Sequence, residues 1–248
     1  MGLSVFVTGG LLGSFLNVVI YRLPREKSIA YPGSKCPKCN NAIAWYDNIP
    51  VLSWLALGAK CRYCKEPISF RYPSIELLTA ILFLTTFMHF GVGWQWLFLS
   101  YFVALMVVIT WIDIDHMIIL DSVVYPGIIL GILYNFINGV IMDSLLASFT
   151  GYAIFYALAK GSKLLLKKEG MGEGDITLVA LLGAWLGMSK MFGTVFLSFF
   201  IGSIIGLFLL IRNRKSEHFP FGPALTASAF ITIFSNNYVF DLYMRNFM

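Results

Sequence analysis

The sequence predicts an all-α polytopic membrane protein of about eight transmembrane helices, with one small cysteine-rich domain after the first helix. Three observations carry that prediction. The 248 residues are 58% hydrophobic and only 12% charged, with a mean hydropathy of +0.77, far outside the usage of soluble domains. Eight apolar runs approach the roughly 20 residues that a bilayer core requires. The basic residues also gather in alternate connections between those runs, as the positive-inside rule expects.

The first run, 3–21, is not a cleavable signal. No basic residue precedes it, it contains Gly9, Gly10 and Gly13, and Arg22 and Arg25 follow it, so its N-terminus is expected outside. A polar segment, 22–74, comes next. The remaining runs fall at 75–92, 94–112, 122–141, 144–164, 176–188, 191–211 and 221–236, with Trp94 and Trp96 at a span edge as interfacial aromatics. The expected organisation is therefore a first transmembrane helix (1–21), a cytoplasmic loop domain (22–74), a seven-helix membrane domain (75–236) and a short tail (237–248). Of 18 Lys and Arg, nine lie in 22–74, four in 160–168 and three in 212–215, which places sixteen on the cytoplasmic side and leaves Lys190 and Arg245 outside. The net charge of +5 then follows from topology and contact with anionic membrane lipid, and no nucleic-acid partner is needed. Nothing in the sequence specifies self-association.

All four cysteines stand in the polar segment, as "CPKC" (Cys36, Cys39) and "CRYC" (Cys61, Cys64). Two such knuckles can place four thiolates around one tetrahedral ion, so a structural zinc ribbon is expected. Two disulfides or four unrelated thiols are the other reading, and disulfides are disfavoured in a reducing cytoplasm. A loop of this size builds little core of its own, and metal binding supplies folding energy. Four thiolates close the coordination sphere and leave no open position for catalysis. The prolines of the loop, Pro32, Pro37, Pro50, Pro67 and Pro73, predict short strands and turns over helix.

Acids are scarce, 13 in all, yet "WIDIDHMIILD" holds Asp113, Asp115 and Asp121, and "GMGEGDITL" holds Asp175. Asp113 and Asp175 both fall at cytoplasmic span ends, and carboxylates at membrane depth are costly and usually functional. The run from Asp175 to Met188 is short, roughly 21 Å of helix against about 30 Å of hydrocarbon. That length can sink Asp175 below the headgroups, where Gly170, Gly172 and Gly174 allow a turn and a close approach by a substrate strand. Two aspartates facing one another through a water share a proton, one activating the water and the other donating to the scissile carbonyl. Asp113 and Asp175 are the expected catalytic pair. Asp121 and Asp143 suit helix ends, and Asp115 and His116 suit the interface. Two other functions stay open on these residues: a transporter using Asp113 and Asp175 as a proton or cation relay, and a non-catalytic zinc-ribbon scaffold.

The stretches "GSFLNVVIYRLP", the cysteine loop from "CPKC" to "ISFRYPSIELL", "IDIDHMIILD", "GMGEGDITL" and "FPFGPAL" together resemble the type IV prepilin peptidases, which are GxGD-type aspartic proteases. The resemblance runs from about residue 2 to residue 230. It implies a bifunctional enzyme of the bacterial inner (cytoplasmic) membrane. Such an enzyme cuts the short basic leader of prepilins and pseudopilins after a glycine on the cytoplasmic side, then methylates the new N-terminal residue with S-adenosylmethionine. By motif position the two catalytic aspartates fall on Asp113 and Asp175. The resemblance also associates the methyltransferase function with the loop of Cys36, Cys39, Cys61 and Cys64, and Glu76 at the entrance to the second span is a further position for a substrate amine. Thr177, Leu120 and Ala59 depart from the residues common in the family, and none replaces a carboxylate or thiol.

Overall fold

Each apolar run folds as a helix wherever the structure, a computed structural model, describes it; the described residues are 1–166, 172–213 and 220–235. The tail expected at 237–248 and Gly170 lie outside them. Eight α-helices form among these residues: α1 (Gly2–Arg22), α2 (Leu52–Ala56), α3 (Arg71–Phe90), α4 (Trp94–His116), α5 (Asp121–Ile137), α6 (Ile141–Leu166), α7 (Glu173–Asn213) and α8 (Gly222–Phe234). Five of them, α1, α3, α4, α6 and α7, are long and apolar enough to cross a membrane, and α5 and α8 are shorter apolar helices. No strand forms among the described residues. The turns and strands expected in the cysteine loop reduce to two isolated antiparallel bridges, Lys35 with Ala42 and Lys60 with Pro67. The short helix α2 is the departure from that expectation, and its run "LSWLA" has no proline or glycine to break it.

The chain divides into two compact units, Met1–Val108 and Ile109–Met248. In the first, α1 and α3 pack at close range because Gly9 and Gly13 of α1 carry no side chain. A Cβ at Gly9 would stand 2.8 Å from the Ala80 Cα, and one at Gly13 would stand 2.8 Å from the Glu76 Cα. Small residues four apart let helix backbones approach where no hydrophobic effect drives them together. Asn17 of α1 closes the pair at its polar end, donating to the Tyr72 carbonyl at 3.2 Å.

In the second unit, α7 is a helical hairpin. Gly187 leaves helical geometry with φ 76° and ψ 176°. Before it, Gly183 packs on the Ala147 backbone and Val179 on Gly151, so the first arm runs antiparallel to α6. After it, Met191 returns to Gly151, and Val195 and Phe199 continue beside Phe155 and Leu158. A straight helix would hold residues 179 and 191 roughly 18 Å apart. The runs expected at 176–188 and 191–211 are thus two arms of one element. Asp143 of α6 makes the turn: its carboxylate accepts the Met188 N–H, and a Cβ at Gly187 would run into that carboxylate. Asp143 therefore caps the second arm.

Hydroxyl and amide side chains hold these helices together without exposing polar groups to hydrocarbon. Asn135 of α5 and Ser144 of α6 both donate to the Ala184 carbonyl, each at 2.7 Å. Trp185 donates to the Gly127 carbonyl at 2.8 Å. Thr194 meets Thr232 of α8 at 3.0 Å, and Thr110 of α4 meets Thr226 of α8 at 2.7 Å.

Candidate active site and metal centre

The second unit brings three helix ends to one place. Asp113 lies in the last turns of α4 and is only 5% exposed. The N-terminus of α8 sits on its carboxylate, where the Gly222 N–H donates to Asp113 Oδ2 at 2.9 Å. There is no room for a side chain at that contact, since a Cβ at Gly222 would stand 2.5 Å from the same oxygen. Asp175 lies half-buried in the first turn of α7 and is the neighbouring carboxyl group close enough to interact electrostatically with Asp113. The two carboxylates singled out by the sequence are therefore within electrostatic reach of each other.

The glycines before Asp175 have separate tasks. Gly172 starts the turn, its carbonyl accepting the Asp175 N–H at 3.2 Å, and a Cβ at Gly172 would stand 3.5 Å from Asp175 Oδ2, an ordinary contact distance. Gly174 is a packing position: a Cβ there would stand 2.7 Å from the Ile119 Cβ. Ile119 belongs to the four-residue connection from α4 to α5. That connection leaves α4 through Met117, which has φ 54° and donates its N–H to the Asp113 carbonyl at 2.8 Å. Gly174 thus seats the start of α7 against the segment that follows Asp113. Asp121 stands exposed in the first turn of α5, and Asp115 is exposed on α4.

Gly222 and Ile119 are the site residues that the sequence reading did not single out. The signal for Gly222 was present in "FPFGPAL", a glycine and proline at a helix start. Ile119 left none, because one apolar residue in an apolar chain carries no signature.

In the first unit the four cysteines converge, with their Sγ atoms all within 4.8 Å of one another and Cys36 and Cys64 at 3.8 Å. Tetrahedral zinc with bonds of about 2.3 Å separates its sulfurs by about 3.8 Å. The donor set and spacing fit such an ion. The two knuckles have the same backbone. In each, the first cysteine carbonyl accepts an N–H from a residue four positions on, Asn40 at 2.9 Å and Lys65 at 3.1 Å, and both of those residues take the left-handed conformation. Backbone N–H bonds from Cys39 and Lys38 bring the Cys36 thiol down to about 6. At Cys64 the Glu66 N–H favours the thiolate, but burial and the three neighbouring sulfurs outweigh it and push the thiol up to about 12. A divalent cation among the sulfurs offsets that mutual repulsion. Asp47 and Arg62 brace the spacer between knuckles with a two-pronged ion pair at 2.6 and 2.8 Å, and the Arg62 guanidinium holds the Asp47 carboxyl below its ordinary range.

Glu76 has a different position from the one its sequence context suggested. It is 8% exposed, and its Oε2 accepts the Val51 N–H at 2.7 Å, with Ser14 of α1 as a second partner. The carboxylate is engaged by the chain itself.

Two family models match the chain: "Bacterial Peptidase A24 N-terminal domain" over residues 7–90 and "Type IV leader peptidase family" over residues 99–207. Similar proteins include the prepilin leader peptidase/N-methyltransferase of Aeromonas hydrophila, 38% identical over 98% of this chain and 94% of that protein. The protein of the same description from Neisseria gonorrhoeae is 38% identical over 94% of this chain and 90% of its own length. The Myxococcus xanthus protein is 40% identical over 86% of this chain and 64% of its own. No solved structure matches the chain.

Proposed function

Because this chain belongs to the type IV leader peptidase family, we propose that it is a prepilin leader peptidase and N-methyltransferase, with Asp113 and Asp175 as the proteolytic pair. The observation that carries this reading is the juxtaposition of those two carboxylates at one end of the second unit, with Gly222 N–H on Asp113. One aspartate takes a proton from a water held between them as the water oxygen bonds the scissile carbonyl carbon. The other gives its proton to the carbonyl oxygen. Collapse of the resulting diol breaks the C–N bond, and the amine leaves with a proton from the pair. Gly222 holds Asp113 in one orientation through these steps, and Gly174 seats the start of α7 against the segment that follows Asp113.

The substrates in this reading are prepilins or pseudopilins, each an apolar helix behind a short basic leader. The apolar helix lies in lipid and the leader's charge stays at the surface, so the bond to be cut rests near the interface. The clustered Lys and Arg support an outside N-terminus with the cysteine loop and both aspartates on the cytoplasmic side of the inner membrane. The loop domain at 22–74 is the methyl-transfer region, framed by zinc on Cys36, Cys39, Cys61 and Cys64. S-adenosylmethionine supplies the methyl group to the new N-terminal amine. Lipid is the surrounding partner, and no nucleic acid takes part.

Membranes containing the chain, given a pre-pseudopilin and S-adenosylmethionine, are expected to release the leader and add one methyl to the new N-terminus, both read by mass spectrometry. An intact substrate with correctly inserted protein sinks the reading. Gly222→Ala tests the site more finely. The added methyl displaces the Asp113 carboxylate, and a misplacement near 1 Å costs about 10²-fold in rate. Cleavage kcat is expected to fall by about that factor with KM little changed and methylation of an already cleaved substrate retained. A normal kcat removes Gly222 from the site.

A further inference from the structure

The stretch "IPVLSWLAL", residues 49–57, belongs by sequence to the polar loop, yet no charged residue stands between Asp47 and Lys60. Its contacts place it well below the polar ends of α1 and α3. Pro50 lies 3.5 Å from the Cβ position of Gly10, and Gly10 is twelve residues up α1 from Arg22, roughly 18 Å along the helix axis. Val51 bonds Glu76, and Gly10 also faces Ala80. On α3 those two residues are five and nine positions beyond Arg71, roughly 7 and 13 Å in. Both helices have the length and apolarity of membrane spans, so the tip of the loop stands at the level of hydrocarbon.

The backbone of this segment is arranged for that level. Pro50 has no N–H, Val51 gives its N–H to Glu76 at 2.7 Å, and Ser53, Leu55, Leu57 and Gly58 donate to carbonyls within the segment. Irregular backbone at membrane depth is tolerated only when its polar groups are satisfied by protein. The same bond explains a carboxylate inside a membrane helix, which otherwise stands as an unexplained cost. Val51 itself is β-branched with φ 61°, a conformation held by its surroundings.

The outer face of α2 is apolar and uncovered. Leu52 is 65% exposed and Leu55 is 60% exposed. They stand three apart on one helical face. At the same level α1 exposes Leu11 and Phe15, and α3 exposes Leu77 and Ile81, so all three helices leave large apolar side chains uncovered at this depth. The segment then returns through Trp54, which donates its indole N–H to the Ile68 carbonyl at 3.0 Å, a side chain suited to the interface. We propose that residues 49–57 form a re-entrant wedge seated in the apolar layer of the leaflet nearest the cysteine knuckles, with Leu52 and Leu55 against phospholipid acyl chains. The metal-binding loop is thereby anchored to the bilayer at its middle as well as at its two ends.

A photoreactive residue tests this in the full-length protein. Leu52→p-benzoylphenylalanine and Leu55→p-benzoylphenylalanine, each made singly, are irradiated in vesicles of radiolabelled phosphatidylglycerol and phosphatidylethanolamine. Tyr63→p-benzoylphenylalanine, at an exposed position on the second knuckle, is the reference. Retained leader cleavage identifies chains that have folded. Phospholipid adducts at 52 and 55 several-fold above those at 63 support the wedge. Adducts no more frequent than at 63, or crosslinks to polypeptide alone, overturn it.

Discussion

Replacing Asp113 or Asp175 with Asn is expected to lower leader cleavage by about 10³-fold or more, because residues that act as one chemical unit fail together. Asn keeps the shape of the carboxylate, and its oxygen can still accept the Gly222 N–H that Asp113 accepts at 2.9 Å. It cannot take the proton of a water. The variants should therefore insert in the membrane, keep their metal and still methylate a substrate supplied already cleaved. Cleavage of a pre-pseudopilin in washed membranes, alongside methylation of the mature form, separates lost chemistry from lost fold. If either Asn variant still cleaves at the wild-type rate, the two-aspartate reading falls, and the proton or cation relay or the scaffold takes its place.

The Cys36→Ser, Cys61→Ser double variant is expected to lose its metal and, with it, methylation, while cleavage stays within a few-fold of wild type. Between α1 and α3 the loop contains two isolated bridges, two short 3-10 helices (Leu23–Arg25 and Trp45–Asn48) and one five-residue α-helix as its regular structure, too little to order a domain. Structural zinc contributes on the order of 10 kcal/mol or more to such a fold. Removing one sulfur from each knuckle leaves two, too few for a tetrahedral site. Metal content by mass spectrometry and methyl transfer to a cleaved pilin are the two readouts. Unchanged metal, or unchanged methylation without metal, sinks the assignment. Acid should act in the same direction as the mutations, since protons compete with the ion for thiolate sulfur.

Much of the helical architecture was legible because the bilayer imposes a length on every span. The runs at 3–21 and 94–112 lie inside α1 and α4 for that reason. The cysteine knuckles were legible because four sulfurs within 4.8 Å need only the two CxxC spacings to be foreseen. The rest depends on contacts between distant residues. Nothing periodic in the chain announces that Val51 will claim Glu76, which left that acid looking like a substrate ligand. The same holds for Gly174, whose packing partner Ile119 lies more than fifty residues earlier. The prolines of the loop argued against helix, and α2 forms in the gap between them.

The turn at Gly187 leaves α7 no slack. One residue departs from helical geometry there, and the arms on either side are in phase with different neighbours, Asn135 and Ser144 on one and Thr232 on the other. An added or deleted residue at this point turns the second arm by about 100° and points Thr194 and Ser198, both fully buried, toward lipid. An insertion or deletion at this junction is therefore expected to disrupt the fold, and chimaeras that exchange one arm of α7 must keep the spacing from Ala184 to Thr194 to the residue.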